Sequence, residues 1–164
     1  MKIIGIDPGN SGAITVIASI APEFVSTLKL VESERDICDF IVSTVSDGGR
    51  VYAYLERVSA APGAGVSGMF RFGQSYGAMR MLLTAYHIPF DLVSPLKWQQ
   101  AMGCARPKGQ PKESQTEHKN RTKARAQQLF PAIKVTHAIA DSLLIAEYGR
   151  RLRSGEIAKN GDKP

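Results

Sequence analysis

The chain is poor in cysteine: two residues, Cys38 and Cys104, lie far apart with no metal-like spacing. That pattern excludes a disulfide framework and a zinc site, and predicts a reducing, cytoplasmic setting. No apolar run approaches the roughly 18 residues that a membrane span requires. The N-terminus lacks the pattern of a signal peptide, because Asp7 interrupts its short apolar stretch. Internal repeats and low-complexity tracts are missing too. Acidic residues are in deficit, 15 against 21 Lys and Arg, which leaves a formal net charge of +6. A chain of 164 residues fits one domain. It can bury about two-thirds of its unfolded surface.

The excess positive charge is unevenly placed. Lys97, Arg106, Lys108, Lys112, Lys119, Arg121, Lys123 and Arg125 fall in one stretch opposed only by Glu113 and Glu117, and Arg150, Arg151 and Arg153 form a second cluster. Such clusters suit a polyanion, although a solvated helix face carries the same pattern.

The opening segment Ile3-Ile4-Gly5-Ile6-Asp7-Pro8-Gly9-Asn10-Ser11-Gly12 is the most informative. β-Branched residues predict a buried strand over 2–7, Asp7 stands at its end, and Pro-Gly forces a turn. Residues 12–19 and 24–31 predict two further strands of an antiparallel meander. A helix over 34–46 follows from the spacing of Ile37, Phe40, Ile41 and Val45. The strand 51–56 also ends in an acid, Glu56. A glycine-rich loop is expected over 59–68. Helical spacing then runs through Met69, Phe72, Tyr76, Met79 and Leu83. A short strand over 88–93 and a short amphipathic piece over 96–102 come next. Residues 103–112 predict a loop, 113–129 a basic helix, and 138–152 an apolar helix. A loose tail is expected over 154–164. Strands alternating with helices in the second half predict an α/β fold, a mixed sheet covered by helices.

Asp7 and Glu56 would emerge at one end of the sheet if their strands are parallel neighbours. Asp141 interrupts the last apolar helix, and His137 lies four residues before it on the same face. Carboxylates gathered at one point repel each other unless a cation neutralises them, and Mg²⁺ suits a site of few oxygen ligands. Each residue also has an ordinary reading: Asp7 as a turn residue, Glu56 as the partner of a surface cation, Asp141 as a helix N-terminal charge and His137 as a capping neighbour.

These motifs resemble the RuvC-type Holliday junction resolvases. The resemblance rests on Ile-Gly-Ile-Asp-Pro-Gly, the strand ending in Glu56, and the helix Ala-Asp-Ser-Leu-Leu-Ile-Ala. The stretch from Glu56 through Phe70-Arg71-Phe72-Gly73, with Ser94-Pro95-Leu96-Lys97-Trp98-Gln99 and Arg125 to Pro131, is similar to the bacteriophage branch. The likeness covers residues 1–153 as a single domain. It implies a ribonuclease H-like fold with a five-stranded mixed sheet, a homodimer, and Mg²⁺- or Mn²⁺-dependent cleavage of branched DNA, chiefly four-way junctions. It also implies catalytic acids at Asp7, Glu56 and Asp141. The family's remaining position carries an acid or His three residues before the last acid. Here Ala138 stands there, and His137, one residue earlier, can substitute.

For DNA contact we expect Lys97, Arg106, Lys108, Lys112, Lys119, Arg121 and Lys123 on phosphates, with Lys119 and Lys123 nearest the acids, and Phe70 stacking on unpaired bases. Phe72 fits core packing. The competing readings are a fork, flap or RNA–DNA hybrid nuclease, or a non-cleaving junction-binding module. An actin- or hexokinase-like phosphotransferase needs two such domains, and the chain has length for one.

Overall fold

A computed structural model describes residues 1–21, 24–59, 65–107, 109, 111 and 113–158. Five strands form one sheet: β1 (Lys2–Ile6), β2 (Ala13–Ala18), β3 (Val25–Lys29), β4 (Val51–Glu56) and β5 (Phe90–Val93). Five helices accompany them: α1 (Glu34–Val45), α2 (Val66–Ala85), α3 (Pro95–Ala101), α4 (Gln115–Leu129) and α5 (His137–Ser154). The strand order is β3-β2-β1-β4-β5. The first three strands are the expected antiparallel meander, while β4 runs parallel to both β1 and β5. This is the mixed, helix-flanked sheet expected from the sequence. No described helix is long and apolar enough to cross a membrane.

Strand residues alternate between two faces, so each strand feeds two cores. Ile3, Ala13, Ile17 and Tyr54 join Trp98, Leu143, Leu144 and Ala146 on the α5 side. Ile4, Ile6, Ile14, Val16, Ala53 and Leu55 join Ile37, Ile41, Met79 and Leu83 on the α1–α2 side. Helix α5 lies against β1 at very short range. A Cβ on Gly5 would stand 2.3 Å from the Ala146 nitrogen and 2.3 Å from the Ser142 carbonyl oxygen. The buried Thr15 and Ser142 hydroxyls, 2.7 Å apart, tie the same helix to β2.

Two boundaries depart from expectation. Helix α2 starts at Val66, inside the stretch expected as a loop. Gly65 occupies its N-cap, and Gly68 is carried in the first turns despite its poor helix propensity. Past Ser154 the expected loose tail is fastened for a few residues. Glu156 bonds Arg150 at 2.6 Å, and Ile157 packs against the α5-side core. Residues 159–164 of that expected tail lie outside the described residues.

Because Gly5 meets backbone rather than a movable side chain, Gly5→Ala must push α5 off the sheet. We expect a loss of about 1–3 kcal/mol in denaturant unfolding, the range for overpacking. A change within 0.5 kcal/mol, the typical scale of an innocuous surface substitution, would contradict the close α5–β1 contact.

Candidate metal centre at the sheet end

The register brings two acids together. Ile6 pairs with Leu55 in the parallel β1–β4 ladder, so the next residues, Asp7 and Glu56, stand side by side at the same strand end. They follow the parity of Ile3, Gly5 and Tyr54, which places both on the α5 face. Asp141 sits in the first turns of α5 on the same side. The neighbouring Ser142 is locked to Thr15 at 2.7 Å, and this seats the turn that carries Asp141.

Each acid is held by a different local device. The Asp7 Oδ1 accepts from the Gly9 N–H at 2.9 Å, the bond expected of an Asp-Pro-Gly turn. Gly12 is required beside it, since a Cβ there would meet the Asp7 carbonyl oxygen at 2.1 Å. Glu56 Oε1 accepts from the Trp98 indole N–H at 2.8 Å. The Oδ1 of Asp141 is buried without a hydrogen-bond partner.

The electrostatics show the strain of this gathering. Burial pushes the Asp7 carboxyl from 3.8 to about 6; the Gly9 bond opposes the rise, Asp141 adds to it, and Lys119 offsets part. Burial raises Glu56 from 4.5 to about 8, with Asp7 and Asp141 repelling its charge and Trp98 partly compensating. The Asp141 carboxyl is also raised by burial. Its neighbour Thr122, first, and then His118, Lys119 and His137 pull it back. All three carboxylates therefore resist ionisation, chiefly because burial strips water from the charged form. Among the described residues no group of three His, Cys, Asp or Glu side chains is placed to hold a metal ion as it stands.

By their chemistry the donors nevertheless suit a hard divalent ion. They are carboxylate oxygens, one of them orphaned, and Mg²⁺ takes few protein ligands while keeping its waters.

The other expected residues fall into distinct surroundings. His137 opens α5 and is exposed, with Nε2 2.9 Å from Asn120 Oδ1. It is near enough to Asp141 to influence that carboxyl. Lys119 acts on both Asp7 and Asp141. Lys123, one turn on, is partly buried. Arg106 is exposed and lines a surface cavity of about 580 Å³ with Glu113, Ser114, Gln115 and His118. Lys97 lines two smaller cavities of about 340 and 140 Å³, both shared with Tyr148. Phe70 is 67% exposed, and Phe72 is partly buried. Lys108 and Lys112 lie outside the described residues.

Arg121 is committed elsewhere. It forks onto Glu113 and donates to the Cys104 carbonyl at 2.7 Å. The second basic cluster is spent in the same way. Arg150 and Arg151 grip Glu147, which is only 4% exposed, and Arg150 also holds Glu156. Arg153 lies 3.4 Å over the Tyr52 ring and bonds the Tyr54 hydroxyl. These arginines knit the end of α5, contrary to their expected free approach to phosphates.

Sequence reasoning missed Trp98, Thr122 and His118. Thr122 left a trace: with Ala126 it forms an i, i+4 pair of small residues in a charged helix, which marks the α4 face turned inward. Trp98 left none, because its partner is 42 residues away.

No family model matches the chain, and no curated protein matches it. Solved structures do. RuvC of Thermus thermophilus in complex with Holliday junction substrate superposes with a TM-score of 0.60 at 14% identity, covering 94% of this chain and 97% of that one. A second Thermus thermophilus RuvC structure gives 0.56 at 16%, with the same coverage. The chain has the RuvC fold. At these identities the likeness establishes the architecture, and the RuvC-like sheet here carries Asp7 and Glu56 at adjacent strand ends.

The raised carboxyls give the unliganded chain a signed pH dependence. Folded Glu56 keeps its proton up to about pH 8, while the unfolded chain releases it near 4.5. Between those values the folded state binds more protons, so stability is fullest below 4.5 and is lost as pH rises to 8. In a chelator, the stability of the wild type should fall more steeply than that of Glu56→Gln, by up to about 1.4 kcal/mol per pH unit. Parallel curves from pH 4.5 to 8 would show that Glu56 is not desolvated.

Proposed function

We propose that the chain is a divalent-metal-dependent endonuclease that resolves four-way DNA junctions by paired nicks, with residues 1–153 as one nuclease domain. The observation that carries this reading is the arrangement of Asp7 and Glu56 on adjacent parallel strand ends, with Asp141 facing them and one of its oxygens orphaned. Asp7, Glu56 and Asp141 would hold the ion, with His137 as a fourth donor once it gives up Asn120. When bound, Mg²⁺ or Mn²⁺ would supply Lewis-acid activation of a phosphodiester and of water. The chain's own contribution is to fix the acids, to exclude bulk water from them, and to bring Lys119 close enough for a phosphate to share its charge.

DNA binding would fall to the remaining cations around this end. Lys119, Lys123 and Arg106 are candidates for phosphate contact, with Lys97, Lys108 and Lys112 along the same stretch. Phe70 stands out from α2 and is suited to stacking on an unpaired base. A homodimer would match the two-fold symmetry of a four-way junction. Val66 and Met81, 86% and 67% exposed on α2, are the surface we assign to the second copy. The finer likeness to bacteriophage enzymes, and with it action in a bacterial cytoplasm, is supported by the segments 56–73, 94–99 and 125–131.

Two substitutions test the reading. Asp7→Asn removes charge with little change of shape, so it should abolish Mg²⁺-dependent nicking of a four-way junction, by a factor of at least about 10³, while binding persists. Wild-type nicking would refute the metal site, and equal cutting of forks or RNA–DNA hybrids by the unmodified chain would refute junction selectivity. Lys119→Ala should weaken junction binding and lower its salt slope by about one. An unchanged slope would mean that Lys119 touches no phosphate.

A further inference from the structure

Trp98 is the chain's single tryptophan and is 0% exposed. It sits on the seven-residue helix α3, walled in by the same cluster as Val93, Met102, Ala140 and Leu143. An indole this buried has one polar atom, and that N–H must find an acceptor. Its acceptor is not a nearby carbonyl. It is Glu56 Oε1, at 2.8 Å and 42 residues away.

We propose that Trp98 is a positioning residue for the metal centre: its indole N–H holds Glu56 Oε1 so that the other oxygen, Oε2, is the one offered to the ion. This deepens the function proposed above and rests on it. The geometry gives three reasons. The indole ring is immobilised by packing on every side, so the donor is fixed before any ligand arrives. Glu56 ends a strand, and a glutamate there has three side-chain torsions that no other hydrogen bond among the described residues restrains. Oε2 has no hydrogen-bond partner among the described residues, so it is free for a cation. A carboxylate with one oxygen tied to a neutral donor binds a cation through the other oxygen, at a position set by the donor. Partners behind a ligating group of this kind govern affinity because they orient it.

The bond also gives the centre a natural probe. With one tryptophan there is one indole N–H resonance, and it is directly bonded to the residue assigned as a ligand. In a nitrogen-15 NMR titration of the whole chain with Mg²⁺, that resonance should shift in step with metal binding. Trp98→Phe keeps most of the ring bulk and removes the N–H. By isothermal titration calorimetry with Mg²⁺ alone, it should bind on the order of ten-fold more weakly, within the range for such supporting partners. Saturating Mg²⁺ should restore most of its junction cleavage, whereas Glu56→Gln should not be restored.

An indole resonance that stays still through metal saturation would overturn the proposal even if Trp98→Phe does not fold. So would wild-type Mg²⁺ affinity in Trp98→Phe. In either case a loss of Mg²⁺ binding in Glu56→Gln would leave the metal site standing and remove only the role of Trp98. Unchanged Mg²⁺ binding in Glu56→Gln would bring down the metal site itself.

Discussion

The burial of three carboxylates, Asp7, Glu56 and Asp141, at one end of the sheet is the constraint around which the rest of this molecule is arranged. Burial holds all three protonated to higher pH than usual, and neighbouring carboxylate charge adds to this for Asp7 and Glu56. A fold does not drift into that arrangement. Parallel pairing of β1 with β4 in a fixed register sets the first two, and the Gly5–α5 contact with the Thr15–Ser142 bond sets the third. Stability alone would favour apolar residues at such a point, since unpaired buried charge costs several kcal/mol. Under the proposed function the acids are one half of an electrostatic pair whose other half is a cation.

The surrounding helices divide the remaining labour. Helix α4 turns a small-residue face, Thr122 and Ala126, onto the body and keeps Lys119 beside the acids. Its Arg121 and Arg125 reach back to the carbonyls of Cys104 and Met102, which fixes the chain following α3 against α4. Helix α2 behaves differently. Only Met79 and Leu83 are buried, both in its second half, so its first turns stand clear of the core with Phe70 outward. The proposed function would use this division, with the buried acids on one side and an outstanding helix on the other.

Much of this was legible in the sequence, for physical reasons. The β-branched run before Asp7, and the strand before Glu56, announced buried strands because alternation and branching survive any tertiary context. The helical stripe from Met69 to Leu83 was legible too, although its first turn was hidden by glycines that normally mark loops. Net basicity was a poorer guide. Arg150, Arg151 and Arg153 read as free cations, yet Glu147, Glu156 and the Tyr52–Tyr54 pair consume them, and sequence proximity cannot reveal which charges are spent internally. The Trp98–Glu56 bond and the Asn120–His137 contact were invisible for the same reason: each joins two different elements, and no periodicity encodes such a pairing.

The most direct measurement is anomalous X-ray scattering from crystals of the chain grown with Mn²⁺. The account predicts a manganese peak at the sheet end, with oxygens of Asp7 and of Glu56 or Asp141 within coordination distance of about 2.0–2.2 Å, Mn²⁺ sharing the small hard-cation range of Mg²⁺. Ordered carboxylates with no peak among them at saturating Mn²⁺, or a peak bound only elsewhere, would contradict it.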